Sequence, residues 1–311
     1  MVRAGGIDLG GTKIEATAFD NDWAVVETKR IPTPQDSYDN LVDALCEMVI
    51  WLEETAGSKG LPVGVGIPGF HSKRTGKFLT ANLLASGRTV HQDLIDKLGR
   101  AVAFENDCNC FALSEAMLGA GRSYASVFGL IIGTGVGGGY CSNGTLISGL
   151  NGAAGEYGHL GIPYMTIKEL GLDGIQCGCG RTGCFETYLA GPGMRRLAKH
   201  VTGKDVDAQA ITTAAAAGDP KMQEVMRMWA RIAAELVAAL QCTVDPDCIV
   251  LGGGLSKIPN IDRIISEALP GHLLDQTEPP EIRVAEYGDS SGTRGAALAA
   301  VQNYEILEEA S

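Results

Sequence analysis

The stretch AGGIDLGGTKIEATAFD, Ala4–Asp20, holds an apolar run, a glycine pair and a second run of small and apolar residues. It reads as strand, tight turn, strand, and AVVETKR, Ala24–Arg30, continues it as a third strand. The pattern restarts at YASVFGLIIGTGVGGGYCSNGTLI, Tyr124–Ile147, again strand, glycine turn, strand, now ending in an Asn-Gly hairpin turn. IDLGGTK and IIGTGVGG thus look like equivalent turns of two halves. A duplicated α/β architecture with a cleft between the halves follows, and ligands of such folds sit at the glycine turns.

Helix signals fill the intervals. DSYDNLVDALCEMVIWLEETAG has Asp36 or Ser37 as N-cap, apolar residues at helical spacing and Gly57 as its end. VHQDLIDKLG and DCNCFALSEAMLGAG read as helices, and LPVGVGIPG, AVAFEN and CIVLGGGLS as strands opening into turns. A helical region is expected from about 208 to 241, including a long helix from Asp219 to about Gln241. The last helix is expected from Gly292 to about Asn303. Its small residues suit a chain crossing back near the nucleotide site, with Ala297, Leu298 and Val301 as an apolar stripe against the first half.

The chain has 311 residues and a net charge of −12, with no run of Lys and Arg. That excludes a broad nucleic-acid footprint and suits a small-molecule substrate whose phosphates are held by backbone N–H groups and a metal ion. No stretch approaches the roughly 20 apolar residues needed to span a membrane, and no signal peptide is visible. Nine cysteines without a secretion signal point to a reducing cytoplasm.

DLGGTK, Asp8–Lys13, is a phosphate-loop candidate, because adjacent glycines let backbone N–H groups approach an anion. Read alone it is equally a tight hairpin turn. Asp8 favours the functional reading, since a carboxylate beside such a turn can organise Mg²⁺. GTGVGGG, Gly133–Gly139, superficially matches a dinucleotide fingerprint, but a strand follows it where that fingerprint needs a helix. LGGGLS, Leu251–Ser256, is either an adenine-packing surface or a plain strand-to-helix turn. In ENDCNC, Asn106 and Asp107 stand at a strand end and helix start. The helix N-terminus favours an ionised Asp107, which is either a general base toward a hydroxyl or an N-cap.

GEYGHLGI offers Glu156 and His159 on a segment whose glycines argue against a helix. Downstream, CGCGRTGCFE puts Cys177, Cys179 and Cys184 into eight positions. The spacing suits neither a disulfide between neighbours nor a thioredoxin-like pair. With His159 it makes a Cys₃His set for structural Zn²⁺, which is favoured over free thiols. Such a metal would orient Glu186, two residues past the last cysteine, toward a substrate.

Together these motifs resemble the ROK sugar kinases over nearly the whole chain, from GIDLGGTKIE to GDSSGTRGAA. GEYGH and CGCGRTGCFE are similar to that family's zinc signature. The resemblance implies an actin-like, ribonuclease-H-like ATPase fold with a central cleft. Residues 1–118 plus 292–311 would form a small lobe and 119–291 a large lobe carrying the zinc loop. It further implies ATP bound at Asp8, Gly10, Gly11, Thr12 and Lys13, at Gly133, Thr134 and Gly135, and at Gly253 and Gly254. The sugar would meet Asn82, Asn106, Asp107, Glu156, His159 and Glu186, with Asp107 as the base for the 6-hydroxyl. Cofactors are ATP, Mg²⁺ and structural Zn²⁺ on His159, Cys177, Cys179 and Cys184. His159 would bind zinc through one ring nitrogen and reach the sugar through the other.

RIPTPQDSYD, GVGIPGF, CNCFALSEA and VDPDCIVLGGGLS look most like the branch that acts on N-acetyl-D-glucosamine, with ANLLASG one residue shorter than that branch's sugar loop. NGAAGEYGH and GDSSGTRGAA are closer to the fructokinase and mannokinase branch. Cys108 stands where the family's NDAN has alanine. A cytoplasmic homodimer is expected, with no membrane partner. The competing classes are a glucokinase or fructo/mannokinase, a sugar-sensing regulator, and a repressor of the same family. The last would need a helix-turn-helix ahead of Asp8, where only seven residues stand.

Overall fold

The computed structural model describes residues 1–72, 74–80 and 83–309. In chain order the first elements are β1 (Val2–Leu9), β2 (Lys13–Asp20), β3 (Val25–Pro32), α1 (Tyr38–Ala56), β4 (Val63–Ile67), β5 (Phe70–His71), β6 (Phe78–Leu79), α2 (Val90–Leu98), β7 (Ala103–Asn106) and α3 (Asp107–Met117). Then come β8 (Ser126–Ile132), β9 (Val136–Ser142), β10 (Thr145–Leu146), α4 (Tyr164–Glu169), α5 (Glu186–Leu189), α6 (Gly191–Thr202), α7 (Ala208–Ala216), α8 (Pro220–Gln241), β11 (Cys248–Gly252), α9 (Ile261–Ala268), β12 (Glu281–Val284) and α10 (Ser291–Glu309).

Two five-stranded sheets carry the fold, in the orders β3-β2-β1-β4-β7 and β10-β9-β8-β11-β12. In each, a glycine turn joins an antiparallel pair, β1 with β2 or β8 with β9, and two parallel strands extend the sheet on the other side. The repeated turn therefore marks a repeated sheet. The chain divides into two compact units: Met1–Met117 with Gly144–Ala154 and Asp289–Ser311, and Leu118–Asn143 with Gly155–Gly288. Residues 144–154, which chain order alone groups with the second half, fall in the first.

In the first unit α1 behaves as its sequence requires. The Ser37 side chain accepts a hydrogen bond from the Asn40 amide, and Gly57 closes the helix at φ 65°. The final helix, α10, is longer than expected and packs on the sheet of this unit. Ala297 sits with Ala4 and Phe19 in a buried cluster against which Val301 packs. The approach is backbone to backbone. A Cβ on Gly6 would stand 1.7 Å from the Thr293 carbonyl oxygen, and one on Gly64 1.9 Å from that of Ala296. Gly295 is pressed equally close to Cys110, where its Cβ would lie 1.8 Å from the carbonyl oxygen. The run of small residues in α10 is what permits this contact.

The second unit has its own core, in which Trp229, Tyr188, Phe128 and Phe185 are buried together with the apolar faces of α6, α8 and α9. The helical region expected over 208–241 is two helices, and the second is the long helix expected from Asp219 to about Gln241. Gly218 takes φ 92°, and the Asp219 carboxylate then accepts from the Lys221 and Met222 amides to cap α8, with Pro220 at its start. Among the described residues no helix is long and apolar enough to cross a membrane.

Candidate functional site

The first unit presents one glycine turn and one buried carboxylate pair. At the β1–β2 turn the Gly10 amide donates to the Lys13 carbonyl at 3.0 Å. The Gly10 carbonyl accepts from the Thr33 hydroxyl at 2.7 Å, that of Gly11 from the Gln35 side chain at 2.7 Å and that of Thr12 from the Thr33 amide at 3.0 Å. Thr33 and Gln35, which sequence reasoning passed over, thus hold the turn through its carbonyl oxygens. Lys13 leans on Glu15, its ammonium 3.1 Å from the carboxylate, and Arg30 contacts the same oxygen.

Asp8 lies at the end of β1, and burial raises its pKa from 3.8 to about 6. The negative charges of Asp107 and Glu15 push the same way, and Lys13 opposes them. Asp107 opens α3. Its pKa is also raised, chiefly by burial, although the Cys108 amide donates to it at 2.8 Å. Desolvation thus outweighs the amides that favour the charged form.

Capping is not the work of Asp107. The Asn106 side-chain oxygen accepts from the Asn109 amide at 3.1 Å, while its NH₂ donates to the Gly69 carbonyl at 2.8 Å. Glu105 braces both asparagines, accepting from the Asn106 amide at 2.9 Å and from the Asn109 side chain at 2.8 Å. Asn106, not Asp107, thus caps the helix. Asn82 lies outside the described residues.

The second unit brings together its two glycine turns and the Cys/His loop. Gly133 closes the β8–β9 turn by donating to the Gly135 carbonyl at 2.9 Å. A Cβ on Gly133 would stand 3.7 Å from the Gly254 nitrogen, so the LGGGLS turn lies against this one. Gly253 takes φ 81°, and its own Cβ would meet the Ile132 carbonyl oxygen at 2.6 Å.

His159, Cys177, Cys179 and Cys184 converge, their ligand atoms all within 4.8 Å of one another. The Cys177 sulfur is 3.6 Å from His159 Nδ1, and the Cys179 and Cys184 sulfurs are 3.6 Å apart. Donors bound to one zinc at about 2.0–2.3 Å stand roughly 3.5–3.8 Å from each other, so the set fits that ion. None of the nine cysteines is in a disulfide. The Arg181 amide lowers the exposed Cys179 thiol to about 7, near the pH where it becomes a ready metal ligand.

His159 Nδ1 faces the thiols, and Nε2 lies 3.8 Å from a Glu156 oxygen. One ring nitrogen therefore serves the loop while the other looks toward a carboxylate. The segment is not free of helix, as its glycines suggested: Tyr157–His159 form a single 3₁₀ turn. The glycines serve close approach instead. Cβ atoms on Gly155 and Gly158 would lie 2.2 and 2.0 Å from the carbonyl oxygens of Gly138 and Val136 in β9.

Glu186 opens α5 directly after the last cysteine. One of its oxygens accepts from the Val136 amide at 3.0 Å, and the other stands 3.7 Å from the Cys177 sulfur. Sequence reasoning placed this residue at the metal loop but had no signal for its bond to the glycine turn.

The ROK family profile matches residues 4–303. N-acetyl-D-glucosamine kinase of Shigella flexneri is 42% identical over 296 residues, covering 94% of this chain and 97% of that protein. The enzyme of the same name from Escherichia coli O127:H6 matches to the same extent. Among solved structures, the ROK hexokinase of Thermus thermophilus has a TM-score of 0.86 at 33% identity, over 97% of this chain and 99% of that one. A ROK glucokinase from Streptomyces griseus, in complex with glucose and AMPPNP, has a TM-score of 0.75 at 29% identity, over 96% and 99%.

Proposed function

The chain belongs to the ROK family, and from that premise we propose that it is an ATP-dependent sugar kinase acting on the 6-hydroxyl of N-acetyl-D-glucosamine. Its fold is the family's actin-like ATPase fold. The observation that carries the choice of sugar is the 42% identity, over 94% of the chain, to relatives named for that activity. The 33% identity to a hexokinase favours a plain hexose as the second reading.

In this reading Asp107 accepts the proton of the 6-hydroxyl as the oxygen attacks the γ-phosphorus. The DLGGTK and GTGVGGG turns hold phosphates with Gly253 and Gly254 beside the adenosine, and Asn82, Asn106, Glu156, His159 and Glu186 position the sugar. Asp8 is suited to hold Mg²⁺, because a buried carboxylate among acidic neighbours gains from a cation. Bound Mg²⁺ would offset negative charge on the transferring phosphoryl group. The four donors of the Cys/His loop are suited to structural zinc. Residues 1–118 with 292–311 would act as the small lobe and 119–291 as the large lobe of a cytoplasmic homodimer.

A coupled assay across N-acetylglucosamine, glucose, mannose and fructose tests the substrate. N-acetylglucosamine should give the highest kcat/KM, by about tenfold or more, the scale on which contacts to one substituent discriminate. A higher value for any sugar lacking the N-acetyl group overturns this choice and leaves the kinase reading in place.

The role of Asp8 has a pH signature. An aspartate ordinarily titrates near 3.8, and here the folded value is about 6. Ionisation therefore costs stability that is absent below the ordinary value, grows through that window and is full above it. In protein free of Mg²⁺ and nucleotide, Asp8→Asn should raise the melting temperature by a few degrees at pH 8 and by clearly less at pH 5. Added Mg²⁺-nucleotide should stabilise the wild type and not the variant. A gain independent of pH would show that Asp8 is not held against its charge.

A further inference from the structure

Glu186 is placed where two functions of the second unit meet. One carboxylate oxygen takes the Val136 amide, the first residue after the Gly133–Gly135 turn, at 3.0 Å. The same oxygen lies so close over Gly135 that a Cβ there would stand 2.8 Å from it. The other oxygen is 3.7 Å from the sulfur of Cys177. The opposite end of the turn is held from the same segment, since the Gly191 amide donates to the Gly133 carbonyl at 2.8 Å. Both ends of the glycine turn are thus gripped by the chain between Glu186 and Gly191.

That chain is itself well anchored. The Phe185 amide donates to the Leu160 carbonyl at 2.9 Å, tying its start to the residue after His159. The Thr187 hydroxyl donates to the Cys184 carbonyl at 2.7 Å. At its far end the buried Trp229 ring donates to the Leu189 carbonyl at 2.9 Å. Cys184 is covalently two residues from Glu186, so the order of the Cys/His loop and the position of the carboxylate are mechanically one.

We propose that Glu186 is a positioning residue for the nucleotide: its carboxylate locks the Gly133–Val136 turn onto the Cys/His loop, so that nucleotide affinity depends on that loop even when no sugar is bound. This builds on the reading of the turn as a phosphate site. It adds a role for Glu186 that sugar contact does not supply. A turn rich in glycine is conformationally loose by itself, and its N–H groups bind an anion only if they are held in one arrangement. A hydrogen bond from the Val136 amide to an acceptor fixed on a neighbouring, anchored segment holds it.

The test is binding of AMPPNP by calorimetry with no sugar present, on wild type, Glu186→Gln, Glu186→Ala and Glu186→Asp. Glutamine keeps an oxygen acceptor at the same reach and should bind nucleotide within about twofold of wild type. Alanine removes the acceptor and aspartate shortens its reach, and each should weaken binding by on the order of tenfold, the scale of leaving one partly buried amide without its acceptor. Hydrogen exchange of the peptide spanning 130–140 should rise in the same two variants and not in the glutamine variant. Aspartate keeps the charge at the helix start, so it remains informative if alanine does not fold. Nucleotide binding unchanged in both the alanine and aspartate variants overturns the proposal. Equal weakening in the glutamine variant also overturns it, because the effect then follows the charge and not the bond. If wild type binds no AMPPNP, the kinase reading fails instead, and that result is separate.

Discussion

Asp107→Asn is expected to lower kcat by on the order of 10²–10⁴-fold, the usual scale for loss of a general base, with sugar affinity changed little. The amide keeps the size of the carboxylate and can still accept from the Cys108 amide, as Asp107 does at 2.8 Å. It cannot take a proton. The substitution leaves the helix start intact, because the cap is Asn106 and not Asp107. Burial raises the Asp107 pKa and makes the carboxylate a better base than an exposed aspartate. The acid limb of the kcat profile should accordingly fall above the ordinary aspartate range, since activity is lost as pH drops through the folded pKa. Turnover near that of wild type in the variant sinks the assignment.

The second large effect concerns the Cys/His loop. Protein prepared without chelators should hold one zinc per chain, read by elemental analysis. Cys179→Ser should lose it and, with it, stability on the order of several kcal/mol. Cys179 is the informative position because its thiol is exposed while Cys177 and Cys184 are buried. Replacing it removes a ligand without opening a cavity, so a large fall in melting temperature reports the metal and not packing. Sugar affinity should fall together with stability, as Glu156 and His159 lie on the short 3₁₀ turn that the loop ties down. Zinc-free wild-type protein with unchanged stability would favour free thiols.

How much of this is legible in the chain follows from the range over which each interaction acts. The two hairpins, the Ser37 and Gly57 ends of α1 and the small residues of α10 are written locally. They depend on side-chain periodicity, on capping hydrogen bonds spanning a few residues and on what a backbone can do without a Cβ. The cysteine spacing likewise points to a metal set before any coordinate is known. The start of α8 is local too, written in Gly218, Asp219 and Pro220.

Other features have no local code. That Gly155 and Gly158 serve contact with β9, and Gly6 and Gly64 contact with α10, is a matter of clearance between segments far apart in sequence. Asn106 and Asp107 are neighbours of similar shape, and only the hydrogen bonds to Asn109 and Gly69 show which one caps the helix. The raised pKa values of Asp8 and Asp107 arise from desolvation by surrounding chain, which no spacing reveals. The bond from Val136 to Glu186 joins residues that the sequence reading assigned to different ligands. The sequence by itself determined the repeated hairpin, the donor set and the candidate base, because these rest on residue type and short-range geometry. The tertiary structure alone decided the raised pKa values of the carboxylates, the roles of the glycines and the link between loop and turn, because burial and distance exist only once the chain is folded.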